Sequence, residues 1–325
     1  VIERAPRIKP FAARKLEQAG ETSYCGALAS LGFEKRCRQI PEALGISGVA
    51  IPFDDRQELD YVDNLAFFEQ AGWDMPHVTD EDYFEWVSAW LRQQLLKDRS
   101  VRVAVDVSSM SRRRIADVVE AIVSLPAETE LDIDFLYTPA EYESYDEKRQ
   151  PPIFSVAPVS EFFAGWWSAL DKPLFAIVGL GYELEMASGA LDRLEPQQAQ
   201  AFVPEGRDSR YFDAVRKANR GIGDWVGVEP EEIFYAVADP FECFRKLEAR
   251  VSRLRSANRV ALVPLGPKIF ALVATLTGAL HQRDAQVIRV SAGKHQEALP
   301  RCSDGDLFGL TVSLSNPPSA EQSTE

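Results

Sequence analysis

The sequence predicts an α/β protein assembled from two parallel-sheet units. Apolar runs rich in Val, Ile and Leu alternate with helix-period segments along the chain, the pattern of parallel strands covered on both faces. The 325 residues exceed one ordinary core and suit two units of roughly 150 residues each. Short motifs also recur in the same order about 150 positions apart, as in a duplicated unit.

In the first unit "YCGALASL" reads as a buried strand, "EKRCRQIPEAL" as a short helix interrupted near Pro41, and "GVAIPF" as a second strand. Two helices follow, "RQELDYVDNLAFFEQAG" and "DEDYFEWVSAWLRQQLLKD". Thr79 is expected to cap the latter, with acids in its first turn and Lys97 in its last, which suits the helix dipole at both ends. "VRVAVDV" is then an apolar strand, "SRRRIADVVEAIVSL" a helix closed by Pro126, and "LDIDFLY" a strand.

The second unit repeats the order. "LFAIVGL", "QAFV", "EIFYAVA", "RVALVPL" and "AQVIRVS" read as strands, separated by the helices "ELEMASGALDRL", "SRYFDAVRKANRGI", "PFECFRKLEARVSRLR" and "KIFALVATLTGALHQR". Between the units, Pro151, Pro152 and the aromatics Phe162, Phe163, Trp166 and Trp167 suggest a connecting strand and a packing helix whose rings are core. Residues 315–325, rich in Ser and Pro, suggest a disordered tail. The expected units are residues 1–150 and 151–325, each a Rossmann-like sandwich related to the other by a pseudo-twofold.

The repeat rests on five matches in the same order, each weak alone. "SLGFEKR" (30–36) matches "GLGYELE" (179–185), and "VAIPFDDR" (49–56) matches "QAFVPEGR" (200–207). Tyr61 and Asp63 fall on Tyr211 and Asp213. "VAVDVSSMSR" meets "VALVPLGPK" with one residue dropped, placing Val103 on Val260, Ser109 on Gly266 and Arg112 on Lys268. "IDFLYTPAEY" (133–142) meets "VIRVSAGKHQ" (287–296).

Composition narrows the function. The formal charge is −14, which repels polyanions as a whole and argues against duplex nucleic acid as a partner, though not against a small phosphate ligand in a local basic pocket. No apolar run approaches the roughly 20 residues that span a bilayer, and residues 1–15 lack the apolar centre of a signal peptide, so a cytoplasmic protein with no membrane partner is expected. Cys25, Cys37, Cys243 and Cys302 show no CxxC spacing, and His77, His281 and His295 share no motif with them. Neither a metal, a disulfide nor a cofactor is expected.

Ligands of open parallel sheets sit beyond the carboxyl ends of the strands, where strand-to-helix turns present free N–H groups and a helix dipole. Gly32 and Gly181 allow a tight turn and close approach there, and Phe33 and Tyr182 could stack on a base. Glu34 and Glu183 are expected in the first helical turn. In the stronger constellation, "DVSSMSRR" and "VPLGPKIF" each run a strand into small residues and then a basic one. Asp106, Ser108, Ser109 and Arg112 in one unit, and Gly266 and Lys268 in the other, could then hold an anion. Arg36, with Arg56 and Arg207, is expected to join them, and neither Arg112 nor Lys268 is expected in the core. Helix capping and turn formation account for the same residues equally well. GxxxxGK[ST] is absent.

These strand–small–small–x–basic–helix segments resemble the nucleotide-binding motif of CRISPR-associated Rossmann-fold (CARF) sensor domains, and two such units in one chain are similar to SAVED domains. "DVSSMSR" lacks the Gly-Thr of that motif and "PLGPK" lacks its acid. The resemblance implies a binding module for a nucleotide-derived signal, such as a cyclic oligonucleotide, in bacterial antiviral defence. Its output would lie in a separate effector protein or a second copy of the chain. One alternative is an enzyme on a nucleotide or nucleoside, a hydrolase or glycosyl-transfer catalyst, with Glu34, Asp106 or Glu183 as acid or base. The other is an interaction scaffold with no ligand. A carboxylate of raised pKa deep in the cleft would favour the enzyme; a basic cleft without one would favour the sensor.

Overall fold

The computed structural model describes residues 9–17, 23–53, 56–96, 101–144, 153–166, 171–222, 231–291, 293 and 298–314. Lys97, Pro151, Pro152, Trp167, His295 and the expected tail at 315–325 lie outside them.

Two mostly parallel six-stranded sheets form. The first contains β1 (Ala12–Lys15), β2 (Gly26–Leu31), β3 (Val49–Pro52), β4 (Val101–Asp106), β5 (Leu131–Tyr137) and β12 (Phe308–Leu314), in the order β1-β12-β5-β4-β2-β3. The second contains β6 (Ser155–Pro158), β7 (Leu174–Gly179), β8 (Gln198–Glu205), β9 (Glu231–Ala236), β10 (Arg259–Pro264) and β11 (Ala285–Ser291), in the order β6-β11-β10-β7-β8-β9. The antiparallel pairings are those of β12 with β1 and β5, and of β6 with β11. The chain therefore does not divide cleanly at 150, because β12 returns from the second stretch to the first sheet.

Strand registers can be set against the sequence match. Leu28 faces Val49 on one side and Val105 on the other, as Ile177 faces Gln200 and Leu262. These pairings agree with matching Leu31 to Leu180, Val49 to Gln200 and Val103 to Val260. The fourth strand differs. Val103 pairs with Ile133 and Val260 with Ala285, so Ile133 corresponds to Ala285, two residues from the Val287 of the sequence match.

The helices are α1 (Gln39–Leu44), led by a 3-10 turn at Lys35–Arg38, α2 (Tyr61–Gln70), α3 (Tyr83–Leu95), α4 (Arg112–Val123), α5 (Met186–Leu194), α6 (Ser209–Ala218), α7 (Pro240–Leu254) and α8 (Lys268–Leu280). Pro41 lies in the first turn of α1, where its missing N–H costs nothing, and does not interrupt it. Helix α3 starts after the expected cap. Thr79 Oγ1 donates to Asp82 Oδ2 at 2.7 Å and accepts from Asp82 N at 3.2 Å, so it closes a separate turn and leaves Asp82 as the N-cap.

Helix α8 is buried from Ile269 to Ala279 because it packs on both α4 and α7. One core consequently runs through both units, joining Val105, Phe135 and Ile122 to Leu262, Phe270 and Leu247. Phe163 is part of that core, as its sequence context suggests, but it sits in a turn, and residues 153–166 contain no helix. Among the described residues no helix is long and apolar enough to cross a membrane.

Candidate functional site

Both sheets turn the carboxyl ends of their parallel strands towards one shared cleft of about 720 Å³. Its walls come from the segments after β2, β3, β4 and β5 in one unit and after β7, β8, β9, β10 and β11 in the other, with residues 299–308 completing it.

Most of the expected residues meet here. Gly32, Phe33, Glu34, Arg36, Arg56, Ser109 and Arg112 line the cleft from the first unit; Gly181, Tyr182, Glu183, Arg207, Gly266 and Lys268 line it from the second. Asp106 and Ser108 do not. They are buried behind the wall, where Asp106 Oδ1 accepts from Ser108 N at 2.8 Å and Ser108 Oγ accepts from Thr138 N at 2.9 Å. These bonds tie the end of β4 to β5 and give both side chains a folding role. Burial raises the Asp106 carboxyl to about 6, against the pull of Ser108 and Arg36.

The glycines differ in necessity. Gly266 has φ +70°, and a Cβ there would collide with the carbonyl of Leu180; one at Gly181 would meet the Gly266 amide. Both glycines thus let neighbouring turns touch. At Gly32 a Cβ would meet only the Phe53 ring, at 3.4 Å, so the fold itself does not demand glycine there. Each turn is held by an asparagine of the same unit. Asn64 Nδ2 donates to the carbonyls of Gly32 (2.7 Å) and Glu34 (3.1 Å), and Asn219 Nδ2 to that of Gly181 (2.8 Å).

Charge in the cleft runs against the charge of the chain. Arg36, Arg56, Arg112, Arg207, Arg210, Lys268, Arg289 and Arg301 face six carboxylates, those of Glu34, Asp80, Glu141, Glu183, Asp208 and Asp304, in a protein of net −14. Some of these cations are neutralised within the protein. Arg36 Nε is 2.6 Å from Glu34 Oε2, and Arg210 pairs with Asp208 at 2.5 Å. Burial pushes the Glu34 carboxyl up, but Arg36, Arg301 and Lys268 outweigh it and hold the group below its ordinary value.

Arg112 is half-buried rather than a surface group. It reaches across the unit boundary, donating to the carbonyls of Pro264 (2.6 Å) and Gly266 (3.1 Å). Lys268, also half-buried, opens α8. Burial drives its amine well below the ordinary lysine value, Arg112, Arg36 and Arg301 push it further, and Glu34 opposes them. Ser109 Oγ is buried at the cleft wall with no hydrogen-bond partner, an unmet need that an anion or water could satisfy.

Sequence reasoning missed Tyr142, Tyr211, Arg289 and Arg301. The match of Tyr211 to Tyr61, a core residue, carries no signal for the site, and the loop carrying Arg301 has no periodicity to mark it. Arg301 Nη2 donates to Tyr182 OH at 3.2 Å. Among the described residues no group of three or more His, Cys, Asp or Glu is placed to hold a metal ion.

No protein-family model matches the sequence, and neither does any curated protein.

Proposed function

We propose that the cleft binds a nucleotide-derived anion and that the protein is a sensor of such a signal, as its likeness to CARF and SAVED modules suggests. The observation that carries the reading is the gathering of eight cationic side chains at the carboxyl ends of two parallel sheets in an acidic chain. A site of this sign concentrates a phosphate ligand locally while the rest of the surface repels longer polyanions. Strand-to-helix turns add oriented N–H groups at the starts of α4 and α8.

No observation favours the enzyme over the sensor. Among the cleft carboxylates Glu34 is held ionised, Asp304, whose carboxyl burial raises, is exposed at the lip rather than deep in the cleft, and the carboxyl raised to about 6, that of Asp106, lies behind the wall. In this proposal the protein acts in the cytoplasm in antiviral signalling, and its output passes to a separate effector or a second copy of the chain.

Thermal-shift and calorimetric titration with cyclic di- and trinucleotides, NAD, ADP-ribose and ATP tests the reading. A stabilising response to one of them that is lost in Arg301→Met supports it. The absence of any response beyond that to sulfate at equal ionic strength rejects it.

A further inference from the structure

The two turns that look alike in sequence offer a ligand different chemistry. Position for position, Arg36 corresponds to Glu185, Phe33 to Tyr182 and Tyr61 to Tyr211. Arg36 is buried in the cleft wall, whereas Glu185 is exposed and outside it. Tyr61 is buried in the core away from the cleft, whereas Tyr211 lines it. Matched positions thus contribute unequally: Arg36 enters the cleft and Glu185 does not, while Tyr211 enters it and Tyr61 does not.

The consequence is a cleft with two unlike poles. Around Glu34 stand Arg36, Lys268 and Arg301, close enough to hold its carboxylate ionised. Adjoining them, and joined through the Arg301–Tyr182 bond, the ring of Tyr211 lies 5.1 Å from Tyr142 and 5.6 Å from Tyr182, centroid to centroid. Hydroxyl groups in this cluster are engaged by the protein: Tyr211 OH donates to the Glu141 carbonyl at 2.9 Å, and Tyr182 OH accepts from Arg301. What Tyr211 adds to the cleft is therefore ring surface held in a fixed orientation. The matching place in the first unit holds Phe33 with the Arg56 guanidinium 5.8 Å from its centroid, and no tyrosine pair.

We infer that the cleft selects an unsymmetric nucleotide, with a phosphate end at Lys268 and Arg301 and one base stacked on the Tyr142–Tyr182–Tyr211 cluster, over a ligand with two equal halves. The inference rests on the nucleotide reading above and deepens it. A two-fold symmetric ligand that satisfied the tyrosine cluster would set its second base, in place of a phosphate, against Lys268 and Arg301, which Glu34 alone does not neutralise.

Calorimetry on the full chain with pyrophosphate, AMP, linear pApA and cyclic di-AMP tests this. AMP and pApA should bind, with cyclic di-AMP about ten-fold or more weaker than pApA. Tyr211→Leu should weaken AMP about ten-fold, the worth of one base stack, and leave pyrophosphate unchanged. Tyr211→Phe, which keeps the ring, should retain AMP affinity, and Lys268→Met should weaken AMP and pyrophosphate alike. Should Tyr211→Leu fail to fold by circular dichroism, Tyr142→Leu, which removes a ring without touching Arg301, makes the same comparison. Cyclic di-AMP binding as tightly as pApA, or equal losses of AMP and pyrophosphate in the leucine variant, overturns the polarity and leaves the nucleotide reading intact. No binding of any nucleotide by the folded protein overturns both.

Discussion

Arg112 Nε, on the first residue of α4, donates to the Pro264 carbonyl at the end of β10, 2.6 Å away and in the other unit. Its Nη2 takes the Gly266 carbonyl of the same turn. The residue matched to Lys268 by sequence is thus a brace across the cleft floor, while Lys268 makes no such bond. Arg112→Ala should cost about 1–3 kcal/mol by urea denaturation, because two carbonyls lose a charged donor. A cost under about 0.5 kcal/mol, normal for a surface site, would show that the brace is absent in solution.

Lys268 should behave in the opposite way. Its amine is held well below the ordinary value, so the unfolded chain binds the proton more tightly than the folded one. Stability should therefore rise with pH through the folded value and level off near the ordinary lysine value. Lys268→Met should be more stable than the native protein at pH 7, and the difference should shrink as pH approaches 10. Urea denaturation across pH 6–10 measures it; a constant difference would contradict the depressed amine.

Asp106 reverses the sign. Its carboxyl is raised to about 6, so its protonated form favours the fold, and that contribution is complete below about 4 and lost as pH rises through 6. Asp106→Asn keeps an acceptor for Ser108 N without the charge. It should match the native protein at pH 4 and exceed it by about 2–3 kcal/mol at pH 7.5. Its nucleotide affinity should be native, since the side chain does not line the cleft; a large loss of binding would restore Asp106 to the site.

Arg36 and Glu34 form a pair with little access to water, and removing one partner strands the other. Arg36→Met should cost about 3–5 kcal/mol. Most of that should return in the double variant Arg36→Met/Glu34→Gln. A thermodynamic cycle over the four proteins reads the coupling, and additive losses would mean the pair is screened.

Glycine substitutions separate fold from site. Gly266→Ala should destabilise by more than about 1 kcal/mol, since φ +70° and the Leu180 carbonyl both oppose a Cβ. Gly32→Ala should leave the thermal midpoint within a few degrees and lower affinity only if a ligand approaches that turn. Midpoint and titration on the two proteins make the comparison.

The parallel strands and their helices were legible because each buries an apolar stripe of definite period, and the sequence match agrees with the registers at Leu31, Val49 and Val103. Its failure at Ile133 has a local cause: a short apolar strand matches another almost as well when slid by two residues, because period two keeps the same face inward. Strands β1 and β12 escaped notice because their pairing joins residues 12–15 to 310–313, a relation without local signal. In the site, Arg112 and Lys268 stood out by motif. Arg301 and Tyr142 lie in irregular segments, and only folding brings them beside Tyr182.

The return of β12 to the first sheet has a consequence for synthesis. The second sheet has all its strands once residue 291 leaves the ribosome, but β5 has no outer neighbour until residues 308–314 follow. Throughout that interval β5 is a bare edge on a nascent chain, open to pairing with any other strand. Its sequence, "LDIDFLY", places Asp132 and Asp134 along that edge. In the finished protein Asp134 accepts from Thr311 Oγ1 and Asp132 from Ser313 Oγ, both on β12. The same two carboxylates that later fasten the closing strand can guard the unfinished sheet against aggregation until it arrives.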